Sequence, residues 1–398
     1  MSDLPQCGIP VVAKTLYETA AYYPYTIIPL FILMGGFAGS AGITRELYGT
    51  FDKWFRKFPG GLGIATVAAC AFFAALSGSS VAAAAAMGTV AIPEMRRFNY
   101  APKLAVGVVA AGGTLSFLIP PSLGFVVYGM LTEQSIGKLL ISGIFPGLLL
   151  SLAFIVIIVA QVKMDPSLAP ATPGEVSFKE KLLAFSGVWE TLFVFFLVMG
   201  GIYGGFINPT EAGAIGATAL FVIALLKKKL TFRNLSASLL EAARISVLVL
   251  FLVAGANIFS YFLALSTIPT AVSSWMAGLQ VSRYVILSII VFIYLILGCF
   301  LDAISMMVLT MPVIFPVIKT LGFDPIWFGV ICVIMMEAGL ITPPVGLNVY
   351  TLAGVVKDVP MQTIFRGAVP FLISMIVVVI IITLFPKICL FLPSMMGR

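Results

Sequence analysis

The feature that most constrains this chain is a pair of double prolines set in apolar sequence. Pro120-Pro121 lies in "GGTLSFLIPPSLGF" (112–125), and Pro343-Pro344 lies 223 positions later in "MEAGLITPPVGLN" (336–348). The same offset aligns Pro102 with Pro325 and Pro93 with Pro316. A proline lacks the backbone donor and frees a carbonyl on the preceding turn. Glycines at 112, 113, 124, 339 and 346 admit backbone angles closed to other residues. The spacing predicts two helices, each broken near its middle, in two related halves.

Composition decides the solvent. The chain is 61% hydrophobic and 10% charged, with a mean hydropathy of +1.13. Soluble domains run at about 45–50% apolar and 25% charged, so the excess belongs in a bilayer. The opening "MSDLPQCGIPVV" has neither the basic nor the apolar region of a signal peptide. The chain has no histidine, which removes HExxH zinc chemistry, histidine general bases and Ser-His-Asp triads. Its five cysteines, Cys7, Cys70, Cys299, Cys332 and Cys389, show no CxxC spacing and read as small buried apolar residues. The net charge of +7 comes from basic residues between apolar segments, without interleaved aromatics, so no nucleic-acid partner is implied.

About 20 apolar residues span a bilayer. Eight spans are predicted at 24–44, 101–131, 136–162, 186–206, 210–229, 244–265, 325–355 and 366–392. Two further blocks, 61–95 and 283–318, are interrupted by "ALSGSSVA" (75–82) and "GCFLDAIS" (298–305). Each reads as a re-entrant helical hairpin with a polar tip. Most of the 23 Lys and Arg fall in 45–59, 96–103, 163–185, 227–244 and 357–366, which marks that side as cytoplasmic. Trp54 and Trp189 then sit at the inner interface, Trp275 and Trp327 at the outer one. The first hairpin enters from the cytoplasm and the second from outside, giving an inverted repeat. Three spans precede the second unit and one precedes the first, so two upstream spans are missing from the pattern.

Irregular backbone at membrane depth is tolerated where it is buried in protein or lines a wet cavity. Paired interruptions in two inverted halves point to a transporter's central site. Ser77, Ser79 and Ser80 offer hydroxyls at the first tip, with Gly78 allowing close backbone approach. Gly298, Asp302 and Ser305 do the same at the second, where Asp302 aligns with Ser79. Oxygen ligands without histidine or thiolate suit an alkali cation. Asp302 reads either as a mid-membrane functional acid or as a cap on the hairpin. Glu337, aligned with Thr114, serves helix packing or the site. Glu211, after Pro209-Thr210, reads as a helix-start residue. Residues 45–57 read as an interfacial helix, and 164–181 as a Pro-rich cytoplasmic linker.

These stretches resemble the large membrane subunit of the TRAP (tripartite ATP-independent periplasmic) transporters. The resemblance is carried by "IPLFILMGGFAGSAGITREL", "GGLGIATVAACAFFAALSGSSVAAAAAMGTVAIPEM", "IPPSLGFVVYG", "FINPTEAGAIGA", "GCFLDAISMMVLTMPVIFPV", "AGLITPPVGLNVY" and "FRGAVPFL", from about residue 24 to the end. It implies an all-α polytopic fold of two inverted repeats with an elevator-type transport domain moving on a scaffold. The divisions are 1–60 (scaffold helix and arm), 61–163 (first transport repeat), 164–185 (linker), 186–282 (second scaffold part) and 283–398 (second transport repeat). It implies sodium-coupled import of an organic acid, of carboxylate or sulfonate type, across the bacterial inner membrane. The implied partners are a small four-helix membrane subunit and a periplasmic substrate-binding protein.

By the same resemblance, the sodium (Na+) ligands are Ser77, Gly78, Ser79, Gly298, Asp302, Thr342, Pro343 and Gly346. The substrate contacts are Ser79, Ser80, Ser122, Thr342 and Asn348. Family members often carry an acid just after the first serine tip, where this chain reads Val81 to Ala86. Three other classes compete. A transporter of the same plan that works without a binding protein would show uptake by the membrane protein alone. A membrane enzyme lacks paired-acid spacing and histidine here. An ion channel would need a continuous polar pore rather than two opposed tips.

Overall fold

The computed structural model describes residues 4–170, 176–278 and 281–396, and every regular element among them is helical. Helices α1 (Leu4–Ala21), α2 (Ile27–Ser40) and α3 (Ile43–Phe55) lead into the first hairpin, α4 (Gly61–Ser77) and α5 (Ser80–Arg97). The first broken helix is α6 (Pro102–Thr114) with α7 (Leu123–Thr132), followed by α8 (Ile136–Ser142) and α9 (Ile144–Met164). A central section holds α10 (Phe178–Ala184), α11 (Trp189–Tyr203), α12 (Pro209–Leu226), α13 (Phe232–Ser266) and α14 (Ile268–Gly278). The second hairpin, α15 (Arg283–Gly298) and α16 (Ala303–Thr320), precedes the second broken helix, α17 (Pro325–Gly339) and α18 (Leu347–Val355). Helices α19 (Met361–Leu384) and α20 (Lys387–Met395) complete the chain.

Local chemistry sets the breaks. Gly78 is left-handed (φ +57°) and ends α4, and the Ser79 side chain then caps α5. Asp302 caps α16, Ser122 caps α7, and Asp324 caps α17 ahead of Pro325 at its first turn. Both double prolines are cis and lie between the half-helices. At 1.5 Å per residue, α6 is about 20 Å long and α7 about 15 Å, so neither half alone crosses a hydrocarbon core of about 30 Å.

The two halves run in opposite directions. Tyr128 Oη, near the end of the first broken helix, donates to the Pro325 carbonyl at the start of the second (2.7 Å). At the other end Arg96, just before α6, pairs with Asp358, just after α18 (2.7 Å). Near the middle, Asn348 Nδ2 donates to the Ala110 carbonyl (3.3 Å). The offset of 223 places α5 on α16 residue for residue and α6 on the start of α17. It also places α3 beside α14, a correspondence that the hydropathy pattern did not show. Within the second repeat, a Cβ on Gly339 would come within 2.4 Å of Gly298 Cα, so α15 and α17 pack backbone to backbone.

Six helical stretches are long and apolar enough to cross a membrane among the described residues, or seven if the bent pair Phe178–Gly187 and Trp189–Tyr203 forms one span. The broken spans 101–131 and 325–355 fall outside that set because each is two short helices. Several boundaries differ from expectation. The span at 244–265 is part of the 35-residue α13, so the connection before it shrinks to 227–231. The span at 366–392 ends at Leu384, before Pro386. Residues 136–162 divide at Gly143, where a Cβ would meet the Leu118 carbonyl at 2.3 Å. A helix lies ahead of 24–44: α1 packs on α13, with Asn257 Nδ2 to Thr19 Oγ1 at 3.3 Å. The segment 164–181 is more than a linker, since α10 docks on α3 through Thr50 Oγ1 to Ala184 O (2.7 Å) and Trp54 Nε1 to Lys181 O (3.1 Å). Trp327 is not an interface anchor but a buried core residue that donates to the Ile382 carbonyl (2.8 Å). The Trp275 side chain lies outside the described residues.

Candidate functional site

The first hairpin tip meets the first broken loop. A Cβ on Gly78 would stand 3.2 Å from the Pro121 carbonyl oxygen, so glycine is what lets the tip approach. Ser77 is buried, and its hydroxyl has no hydrogen-bond partner. The same holds for Ser116, in the short 3-10 turn Leu115–Phe117 that packs against α4 and α5. Orphaned buried hydroxyls are uncommon because each forgoes a hydrogen bond it had in water. Two of them, on the tip and in the loop facing it, fit an oxygen-lined cation site. Ser116 was not among the sequence candidates. Its signal was a lone hydroxyl in the otherwise apolar run between Leu115 and Pro120.

Ser79 is half-buried, and with Ser77 it borders a cavity of about 460 Å³. The far wall of that cavity comes from α2 (Gly35, Gly36, Gly39) and from Asn234, Ser238 and Glu241 on α13. The last three recur at i, i+4 and i+7, which is one face of a helix. That polar stripe was legible, but it fell in a segment read as a cytoplasmic loop. Among the described residues, no Lys or Arg lines the cavity. The amino end of α5 begins at Ser80 beside it, and a helix start carries partial positive charge.

The other candidates take different places. Ser80 is buried, and its hydroxyl donates to Glu337 Oε2 (2.6 Å). Ser122 is fully buried, donating to the Phe117 carbonyl and accepting from the Phe125 amide, so its hydroxyl is committed locally. Asn348 is fully buried with Oδ1 unpartnered. In the second repeat, Val345 N donates to the Cys299 carbonyl (3.2 Å), which joins the loop carrying Thr342, Pro343 and Gly346 to the tip that follows Gly298. Gly346 is left-handed (φ +59°) and opens α18. Thr342 is half-buried and donates to the Ala338 carbonyl (2.6 Å), while Pro343 is exposed. Asp302 accepts from the Ile304 and Ser305 amides, both at 3.1 Å and both through Oδ2. It therefore acts as a helix cap with one oxygen engaged. Glu211 forms a capping box with Asn208, in its expected helix-start role.

Comparison with known proteins places the chain in a family. Residues 5–388 match the profile described as "Tripartite ATP-independent periplasmic transporter, DctM component". The chain is 39% identical over 388 residues to the C4-dicarboxylate TRAP transporter large permease protein DctM of Pseudomonas aeruginosa, covering 97% of this chain and 90% of that one. It is 35% identical over 387 residues to the isethionate TRAP transporter permease protein DctMQ of Oleidesulfovibrio alaskensis, covering 96% of this chain and 60% of that one. In structure it resembles the Alcanivorax borkumensis YdaH transporter, with a TM-score of 0.64 and 15% identity over 97% of this chain and 88% of the other. That last likeness concerns the fold alone. The sequence relatives are permeases rather than enzymes. This multi-pass membrane chain belongs to the large-permease (DctM) family of the tripartite ATP-independent periplasmic transporters.

Proposed function

We propose that the chain imports an organic acid, of carboxylate or sulfonate type, across the bacterial inner membrane by coupling to sodium. A periplasmic binding protein delivers the substrate, and a small four-helix membrane subunit completes the scaffold. The observation that carries this reading is the cavity beside Ser77 and Ser79. One wall carries the polar stripe of Asn234, Ser238 and Glu241, no basic side chain lines the cavity among the described residues, and Ser77, whose buried hydroxyl lacks a partner, borders it. An anion in such a place needs positive charge from elsewhere. A sodium ion at the junction of tip and loop supplies it, with the amino end of α5 adding a partial charge. The names of the two relatives, a C4-dicarboxylate and an isethionate permease, support the acid class. Asp302, with the loop carrying Thr342, Pro343 and Gly346, forms the second sodium site in this reading. The two repeats move together as an elevator against α2, α11, α12 and α13.

Binding of sodium and substrate is then linked, and each raises the other's affinity by the same factor, about 5–150-fold for typical couplings. The test is uptake into proteoliposomes across a sodium titration, with binding protein and small subunit supplied. Ser77→Ala and Asp302→Ala should each raise the sodium concentration for half-maximal uptake. Sodium-independent uptake by the wild type would overturn the coupling. Full uptake without the binding protein would favour the self-sufficient transporter instead.

A further inference from the structure

Glu337 is a buried acid that the function above leaves without a role. It lies in the last turn of α17 and is 1% exposed. Ser80 Oγ, on the first hairpin 257 positions away, donates to its Oε2 at 2.6 Å, and Oε1 has no partner. No Lys or Arg pairs with it among the described residues. Burying a carboxyl with an unfilled oxygen is unfavourable, so packing alone does not account for it. The equivalent residue in the first repeat, Thr114, meets its need locally through the Ala111 carbonyl (2.5 Å). The acid thus breaks the symmetry of the repeats at a position where it reaches the other repeat's hairpin.

Its surroundings tie the same elements together. Asn348 N donates to the Leu340 carbonyl (3.1 Å) on the loop just after α17, and its Nδ2 donates to Ala110 O on α6. A Cβ on Gly113 of α6 would come within 2.9 Å of the Ser80 carbonyl. Ser80 opens α5 directly after Ser79, which borders the cavity, and lies three residues beyond Ser77. We infer that Glu337 is a positioning residue for the first hairpin tip: through Ser80 it sets residues 77–80 against the 115–122 loop. The ion site of one repeat is then complete only when the broken helix of the other is in place.

Two readouts test this, and the second alone rests on the sodium reading. Hydrogen exchange of the tip amides in the purified full chain reads positioning without transport. Glu337→Ala and Ser80→Ala should speed exchange there roughly tenfold, the loss of one buried hydrogen bond. Glu337→Gln, whose amide oxygen still accepts from Ser80, should exchange as the wild type does. In the uptake assay with partners present, the two alanine variants should raise half-maximal sodium by a similar factor while melting within roughly a few degrees of the wild type. The double variant should add little to either single one, because both remove the same contact. Wild-type exchange at the tip in folded Glu337→Ala or in folded Ser80→Ala would overturn the inference. So would a Glu337→Gln variant as impaired as the alanine. Faster exchange at the tip with sodium-independent uptake in the wild type would keep the positioning role and remove the sodium reading.

Discussion

Gly107 of α6 and Gly367 of α19 stand so close that a Cβ on Gly107 would come within 2.3 Å of the Gly367 carbonyl oxygen. A Cβ on Gly367 would meet the Lys103 carbonyl at 2.2 Å. The contact joins the first broken helix to α19, the helix that follows the second broken helix. In a bilayer, such close approach is what gives two helices their packing attraction. It packs the two inverted repeats directly against each other.

Gly107→Ala should therefore destabilise the protein by about 1–3 kcal/mol, the usual range for overpacking, and Gly367→Ala by at least as much. Gly255, inside α13, has nothing within 4 Å of its missing Cβ. Gly255→Ala should be neutral or stabilise by up to about 1 kcal/mol through helix propensity. Thermal unfolding in detergent checks the contrast, and equal effects at the two sites would count against the packing argument.

The prolines made much of this legible. Pro102 and Pro325 open their helices, as their alignment required, and the polar interruptions at 75–82 and 298–305 became the two tips. What stayed hidden involves faces and distant contacts. Arg233, Glu241 and Arg244 made the start of α13 look like loop, because hydropathy averages over all sides of a helix. The correspondence of α3 with α14 has little shared sequence to show it. The Ser80–Glu337 bond joins residues 257 positions apart. Its trace in the sequence is that repeat symmetry fails there, with an acid opposite Thr114.

Lys227 ties the end of α12 to α3 and α11. Its ammonium reaches Glu46 Oε2 (2.5 Å) on α3 and Glu190 Oε2 (2.7 Å) on α11. Burial pulls its pKa down, but the hydrogen bonds to the two glutamates outweigh that and raise it. A raised lysine gives stability that is intact below the ordinary lysine range and lost only as pH rises through it, so neutral assays see a constant contribution. Lys227→Met should destabilise by about 3 kcal/mol, the low end for a buried pair, since the lysine side chain is 21% exposed and that of Glu190 only 6%. Adding Glu190→Gln should recover most of the loss. No recovery would mean that Lys227 acts through packing.

Arg96, at the end of α5, and Asp358, just after α18, clamp the two repeats together, with contacts of 2.7 and 3.1 Å. The hydrogen bond from Arg96 holds the Asp358 carboxyl below its usual range. A lowered acid gives stability that is present above the ordinary aspartate range and lost as pH falls through the folded value. The pair is exposed, and such pairs contribute little. Asp358→Asn should melt near the wild type at neutral pH, and any difference should close in acid. A difference that changes between roughly pH 6 and 8, far from the aspartate range, would show that another group titrates with the pair.

The cavity beside the first tip should open to the cytoplasm. It extends along α5 from Ser79 to Thr89, ten residues or about 15 Å, toward the foot marked by Arg96 and Arg97. Asn234 and Glu241, on α13 just after Lys227, Lys228 and Lys229, also line the cavity. Basic residues mark the cytoplasmic face. Thr89 is exposed on this cavity, while Glu133 is exposed in the loop after α7, at the opposite end of the first broken helix. With the five native cysteines replaced, Thr89→Cys should react with an impermeant thiol reagent in inverted vesicles, and Glu133→Cys in right-side-out ones. Sodium and substrate together should slow the reaction at Thr89→Cys and leave Glu133→Cys unchanged, because the first lies along the cleft and the second does not. Labelling of both from one face would mean that the first broken helix does not cross the bilayer. Reversed sidedness for the pair would turn the whole topology over and place the cavity mouth outside.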